Sequence, residues 1–550
     1  MSLLLHEWVT QHASRRPDAV AVSMGHEHLT YAQLEDSTNR LAWALAEHGC
    51  RRGDRVCLLV PKSLQAIVGI VGTLKADAIY VPLDPSNPVQ RLRKMIAACE
   101  PRCILVAGAA VSVLDDILAD NPLPAVQFGS LGPQRQAANR FEANFCLADL
   151  RDYPAAPPPV RNTERDAAYL LFTSGSTGEP KAVVITHSNV ARFLEWAIPY
   201  FRLGSSDRIS GHSPLHFDLS VFDLFGALAA GAELHLVPPE LNLTPARIAD
   251  FIRSAELTQW FSVPAVLNFM AKADVVRSGD FPTLRRVLWC GEVLPTPTLL
   301  HWMKRLPHVS FTNLYGPTEA TIASSYYTVT QCPKDERQPI PIGVSCEGEE
   351  LLVLNPDLEP VRPGETGDIY IRGVGLSPGY WRDPESTRLA FLPHPRDPLE
   401  RIYKTGDLGK VGEDGLIYFS GRTDSQIKSR GYRIELGEIE AALNAIGYLL
   451  ESAVVAVPSS GFEGSIICCA YTVAPGSAVT PVVLRRDLAN AVPSYMLPSR
   501  WLALDRLPKN GNGKIDRPRL RNMFENQPGL TRGPTSSPAS TKGVPHAGAA

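Results

Sequence analysis

Two periodicities alternate along the first two thirds of the chain. Short apolar runs such as residues 55–60 (RVCLLV) and 103–107 (CILVA) read as buried strands. Longer stretches with helical spacing, such as 63–75 and 88–99, lie between them. This alternation predicts α/β units around a mainly parallel sheet. Residues 121–162 carry PLP, GP and PAAPPPV and read as a long surface connection, after which a second α/β block runs from Asp166 to about Val329. Beyond Pro339 the pattern shortens to β runs with glycine turns (EELLVLNPD, GDIYIRG, LGKVGEDGLIYFSGR), which predicts a small β-rich subdomain. After Asp424, IELGEIEAAL reads as a helix and ESAVVAVP and SIICCAYTV as strands of a compact α+β unit. From Asn526 the residues are mostly Gly, Pro, Ser, Thr and Ala, the composition of a disordered tail. The expected division is a body over 1–423, a small unit over 424–525 and a tail over 526–550.

Composition narrows the class of molecule. A chain of 550 residues with 44% hydrophobic and 20% charged side chains exceeds one ordinary core and fits a large body plus a smaller unit. Lys and Arg number 54 against 57 Asp and Glu, for a net charge of −3, which argues against nucleic acid or an anionic membrane as main partner. The ten cysteines show no metal or redox spacing, so free thiols in a reducing compartment are expected. The amino-terminal residues read as an amphipathic helix rather than a signal peptide, and no run of about 18 apolar residues occurs. A cytoplasmic protein, monomeric or weakly dimeric, is expected.

The strongest chemical signal is YLLFTSGSTGEPK, residues 169–181. An apolar strand enters a loop of Thr173, Ser174, Gly175, Ser176, Thr177 and Gly178, closed by Lys181. Glycines and small hydroxyl residues let backbone N–H groups turn inward around a polyphosphate. No Gly-Lys-Ser/Thr opens a helix here, so this is not a P-loop, and anchorage on a buried strand distinguishes it from a flexible linker. In NLYGPTEATI, residues 313–322, a Gly-Pro turn presents Thr318 and Glu319, a carboxylate suited to Mg²⁺. In YKTGDL, Asp407 stands on what reads as a tight turn, where it suits the hydroxyls of a ribose.

These segments, in this order, resemble the adenylate-forming superfamily, and within it the amino-acid adenylation domains of nonribosomal peptide synthetases. The likeness runs from Leu29 to about Pro518 through LTYAQLEDSTNRLAWAL, LKADAIYVPLDP, HFDLSVFDLFGAL, GETGDIYIRGVGLSPGYW, GRTDSQIKSRGYRIELGEIE, VPSYMLP and LPKNGNGKID. Asp77 stands where the family has glycine, and Ser377-Pro378 where it has Ala-Arg. The resemblance implies an α/β body of several subdomains with a mobile C-terminal domain, using ATP and Mg²⁺. It places Thr318 near the α-phosphate, Glu319 on the metal, Tyr315 against adenine, Asp407 on ribose with Arg422 beside it, and Lys514 as catalytic lysine. Asp424 falls at the hinge, and Gly431–Tyr432 would line a pantetheine tunnel. The residues after Lys514 show no serine in a Gly-Gly-x-Ser setting, so the thiol is expected from a separate carrier protein.

The resemblance also implies a substrate. Asp218 stands where amino-acid-specific members hold the α-ammonium; the plainer alternative is a helix N-cap. Asp223 reads as an ordinary helix-face carboxylate. Leu219, Phe222, Ser262, Leu288, Cys290, Leu314, Ile322 and Ala323 complete a small apolar pocket with a weak polar handle from Ser262. Alanine is the first expectation, then serine, cysteine or valine, with chirality open. A D-alanine–carrier protein ligase, an acyl- or aryl-CoA ligase and a non-catalytic binding module are the alternatives.

Overall fold

The computed structural model describes residues 4–175, 179–459, 465–473, 479–510 and 514–526. Two large sheets form the body. A seven-stranded sheet runs in the order Gly379–Tyr380, Lys181–Thr186, Ala167–Thr173, Ile79–Leu83, Arg55–Leu59, Cys103–Val106, Gln127–Ser130. Its last five strands are parallel, and the first two are antiparallel additions. In the nine-stranded sheet, Ser310–Tyr315, Arg286–Cys290, Gln259–Ser262, Arg208–Gly211, Glu233–Leu236 and Val20–Met24 form the parallel centre.

Burial shows how these layers stack. Helices Tyr31–Glu47, Leu64–Lys75, His187–Phe201 and Leu219–Ala230 share one apolar cluster with residues of both sheets, among them Tyr169 and Phe261, so they lie between the sheets. Pro245–Ser254, Pro264–Lys272 and Thr296–Arg305 pack with the far face of the nine-stranded sheet. Val89–Cys99 and Ala110–Leu118 cover the far face of the other. Each central strand is therefore apolar on both sides, which is why its sequence reads as a continuous hydrophobic run. Alternation still sorts the faces: Val287 and Trp289 join the outer cluster, Leu288 and Cys290 the inner one.

The β-rich segment is a five-stranded antiparallel sheet of Glu349–Leu354, Thr366–Gly373, Arg401–Val411, Phe391–Pro393 and Ile417–Arg422. Beyond it come the hairpin Gln426–Ser429/Tyr432–Glu435 and a three-stranded sheet, with helices Leu436–Asn444, Pro481–Leu488 and Arg517–Glu525 and apolar clusters of their own. A mixed α/β body with a smaller C-terminal unit agrees with the expected fold class.

Two local readings change. Residues 121–162 are not only a surface connection, because Gln127–Ser130 adds an edge strand and Phe141 and Phe145 are buried. Asp77 has φ 58°, so the residue in the family's glycine position is left-handed, a conformation Asp tolerates better than most. Its carboxylate accepts from the backbone N–H groups of Arg161 and Asn162 at 2.9 and 3.0 Å and holds that connection down. The ten cysteines are free, and all but Cys332 are buried. Among the described residues no helix is long and apolar enough to cross a membrane. The tail beyond Asn526 lies outside the described residues.

Candidate active site

The glycine-rich segment is the tip of a hairpin in which Thr173 pairs with Lys181. Ser176, Thr177 and Gly178 lie outside the described residues. A Cβ on Gly175 would stand 2.1 Å from the carbonyl oxygen of Glu179, so the loop closes too tightly for a side chain. Ser174 Oγ donates to the carbonyl oxygen of Arg433 at 2.8 Å, and Lys181 Nζ lies 5.2 Å from the centroid of the Tyr380 ring.

Across from this hairpin, Thr318 and Glu319 open a short turn after strand Ser310–Tyr315. Thr318 Oγ1 donates to Asp218 Oδ2 at 2.7 Å. Asp218 precedes helix Leu219–Ala230 without making a side-chain cap, so the plainer alternative does not describe it. Burial pushes its carboxyl above the usual range, opposed by the Thr318 bond and by the charge of Lys428. Glu319 is 1% exposed and has both carboxylate oxygens engaged, Oε1 by Tyr380 Oη at 2.8 Å and Oε2 by Arg433 Nη1 at 2.7 Å. Burial alone would raise its pKa, but the Arg433 guanidinium and the bonds made to it outweigh burial and hold it below the ordinary value.

Asp407 departs from the turn expected of it. It sits inside strand Arg401–Val411, paired with Arg422 on one side and at a bulge in the pairing with Thr366–Gly373 on the other, and is 3% exposed. Tyr315 Oη donates to Asp407 Oδ2 at 2.7 Å, and Arg422 is ion-paired to the same carboxylate. Arg422 also grips Asp424 through Nε and Nη2 at 2.8 and 2.7 Å, so the expected hinge residue is tied to the Tyr315–Asp407 cluster.

Two adjoining cavities meet at Gly291, Asp407, Arg422, Gln426 and Lys428. The smaller, about 120 Å³, is bordered by Thr173, Ser174, Asp218, Thr318, Tyr432 and Arg433. The larger, about 760 Å³, reaches past Tyr315 and Asn313 to Asn268, His301 and Phe419. The segment expected at a tunnel is thus at the cavity wall. Gly431 N–H donates to Glu292 Oε1 at 2.7 Å. Gly431 has φ +83°, and a Cβ there would come 2.5 Å from Val263 Cγ1, so only glycine fits. Tyr432 stacks on Tyr495 at 3.7 Å and meets the Phe217 ring edge-on.

Lys514 is not brought to this cavity. It is exposed, and its backbone N–H bonds Asn510 Oδ1 at 3.0 Å. Lys428 and Arg433, from the hairpin that follows Asp424, border the cavity instead. Neither was singled out from the sequence, although both lie within IKSRGYR; nor were Tyr380 and Glu292.

The expected acid pocket is apolar, with two corrections. Leu219 and Cys290 border the smaller cavity and Leu314 the larger, while Phe222, Leu288, Ile322 and Ala323 are packed into the same core cluster. Ser262 is fully buried and borders neither cavity; its Oγ accepts from Trp260 Nε1 at 2.9 Å and donates to the carbonyl oxygen of Val263 at 3.3 Å, so its hydroxyl is turned away from the expected pocket. Asp223 is no exposed helix-face carboxylate. It is 1% exposed, and burial raises its carboxyl well above the usual range, against the charge of Lys62. Thr321 and Ile322 have φ of 56° and 70°, a strained pair directly after the Glu319 turn.

A metal site made wholly of protein ligands is not what these residues form: among the described residues no three His, Cys, Asp or Glu groups converge. One ionised, buried carboxylate beside a loop for phosphates does fit Mg²⁺, which keeps few protein ligands and takes phosphate and water oxygens for the rest.

An α/β body whose cavity joins a glycine-rich hairpin, a buried carboxylate and a Tyr–Asp–Arg cluster describes a nucleotide-using enzyme. Family comparison agrees. The AMP-binding enzyme family matches residues 9–381, and the AMP-binding enzyme C-terminal domain matches residues 438–514. The chain belongs to the AMP-binding enzymes. An L-proline--[L-prolyl-carrier protein] ligase of Pseudomonas fluorescens is 32% identical over 95% of this chain and 99% of its own length. Surfactin synthase subunit 2 of Bacillus subtilis is 34% identical over 94% of this chain, which spans only 14% of that protein. The Vibrio cholerae adenylation domain AlmE, solved in complex with glycyl-adenosine-5'-phosphate, superposes with a TM-score of 0.81 at 26% identity, covering 96% of this chain and 98% of that one.

Proposed function

We propose that this enzyme activates a small apolar α-amino acid with ATP as aminoacyl-AMP and passes the aminoacyl group to the phosphopantetheine thiol of a separate carrier protein. The observation that carries the reading is Asp218. It is a carboxylate excused from helix capping, opening on a cavity, and hydrogen-bonded to a threonine of the turn that also bears Glu319. An acid without an amine has no use for a fixed anion at that position. The names of the relatives support the same class, and the proline ligases among them favour proline as a candidate acid beside alanine.

In the first step the substrate carboxylate attacks the α-phosphorus, a C–O–P anhydride forms and pyrophosphate leaves. Two anions must approach, so the site's work is neutralisation and orientation. The hairpin 173–181 cradles the phosphates, Asp407 with Arg422 takes the ribose, and Tyr315 borders the adenine side. Glu319 would hold Mg²⁺, which supplies positive charge to the phosphate oxygens. Thr318 links the ammonium anchor to the phosphate side, and Lys514 joins the substrate carboxylate when the C-terminal unit carries it in. In the second step the thiol sulfur attacks the carbonyl carbon, AMP leaves, and the thiol proton is lost to solvent. Gly431 and Tyr432 at the cavity wall favour this step for the arrangement described here.

ATP–pyrophosphate exchange across the twenty amino acids, their D-forms, and short fatty and aryl acids tests the reading. Exchange is expected with alanine, proline or valine in preference to serine, because the Ser262 hydroxyl borders neither cavity. Exchange only with acids that lack nitrogen would overturn it.

A further inference from the structure

We infer that Arg433 competes with the magnesium ion for Glu319, so that metal binding and docking of the hairpin Gln426–Ser429/Tyr432–Glu435 oppose each other. The inference rests on the function proposed above, in which Glu319 is the metal's protein ligand. Arg433 engages two parts of the phosphate site at once. Its guanidinium takes Glu319 Oε2 at 2.7 Å, and its carbonyl oxygen takes the hydroxyl of Ser174 at 2.8 Å. With Tyr380 on Oε1, both oxygens of Glu319 are engaged, and a guanidinium stands where the ion would have to come.

The geometry makes this an exchange of like for like. A carboxylate that is 1% exposed cannot stay ionised without a cation beside it. When a metal–nucleotide complex fills the site, the ion would supply that charge. Without it, among the described residues Arg433 supplies that compensation, arriving on the strand that also sets Gly431 against Glu292. A guanidinium and a divalent ion held against one carboxylate repel each other. Each therefore weakens the other by the same factor, a reciprocal coupling for which five- to 150-fold is typical. Arg433 is thus a positioning residue: it holds the hairpin at the cavity while the metal is absent and yields when the metal arrives.

The test is amide hydrogen exchange of residues 424–435, followed by mass spectrometry as Mg²⁺ is titrated at saturating α,β-methylene-ATP. In the wild-type protein these amides are expected to exchange faster as Mg²⁺ rises. Arg433→Met should leave these amides exchanging fast at every Mg²⁺ concentration, while its Mg²⁺ affinity, read by titration calorimetry at the same nucleotide concentration, rises about tenfold, since the site no longer spends most of its time closed to the metal. Arg433→Lys keeps the charge and should fall between the two. Exchange in the wild type that ignores Mg²⁺, or Mg²⁺ affinity unchanged in both variants, would overturn the inference. ATP–pyrophosphate exchange measured alongside separates the two claims. Hairpin exchange that follows Mg²⁺ in a protein that activates no amino acid leaves this coupling standing and removes the function.

Discussion

Asp218→Asn removes the charge at the substrate end with little change in shape. Thr318 Oγ1 can still donate at 2.7 Å to the amide oxygen, so the bond that organises the turn survives and the ion pair to an incoming ammonium does not. Breaking a buried charge pair costs about 3–5 kcal/mol. Burial already disfavours ionised Asp218, so part of that attraction is spent on desolvation, and the lower end applies. About 3 kcal/mol is roughly 150-fold in kcat/KM for the amino acid, read from ATP–pyrophosphate exchange. The pH dependence carries a second signature. Because the carboxyl is raised, wild-type kcat/KM should fall as pH drops through its elevated pKa and the anchor protonates, and Asp218→Asn should lack that acidic limb. A variant within threefold of wild type, with the limb intact, would show that the ammonium is held elsewhere.

Four further outcomes are expected. Lys514→Ala should slow ATP–pyrophosphate exchange by about 10²–10³, the usual cost of one preorganised donor, while transfer from supplied aminoacyl-AMP to pantetheine changes little, as expected for a side chain standing outside this cavity. Gly431→Ala forces a Cβ to 2.5 Å from Val263 at φ +83°, a strain of about 1–3 kcal/mol that should slow transfer tenfold or more and spare exchange. Phe222→Ala empties a site walled by the rings of Phe193, Phe201 and Phe261 at 5.3–5.9 Å and should cost about 3–5 kcal/mol in denaturant unfolding. Burial pushes the Glu349 carboxyl up to about 8 from an ordinary 4.5, so the folded state binds that proton more tightly; the resulting stability is full below about 4.5, declines as pH rises and is gone above about 8. Melting across that window should lose its slope in Glu349→Gln.

What the sequence reveals is what sequence neighbours decide. The hairpin 173–181 and the Glu319 turn are local, and their glycines and hydroxyls announce them. Thr-Gly-Asp has turn propensity, and Gly406 does take φ 76°, but pairing of Asp407 with Arg422 keeps the segment in a strand as a bulge rather than a free turn. Ser262 was legible and overlooked. Side chains two apart on a strand share a face, so Ser262 follows Trp260 toward the outer layer while Phe261 points to the inner one. The edge strand Gln127–Ser130 hides among prolines, and only the closeness of Phe145 to Gly129, 2.4 Å from a Cβ placed there, shows why the chain closes. Arg433 is of another kind. Its partner lies 114 residues earlier and on a different unit, so no periodicity or turn signal can pair them. That contact exists only because the tertiary fold brings the hairpin 426–435 against the Glu319 turn. Side chains that join segments so far apart in the chain are the ones a reading of local pattern leaves unseen.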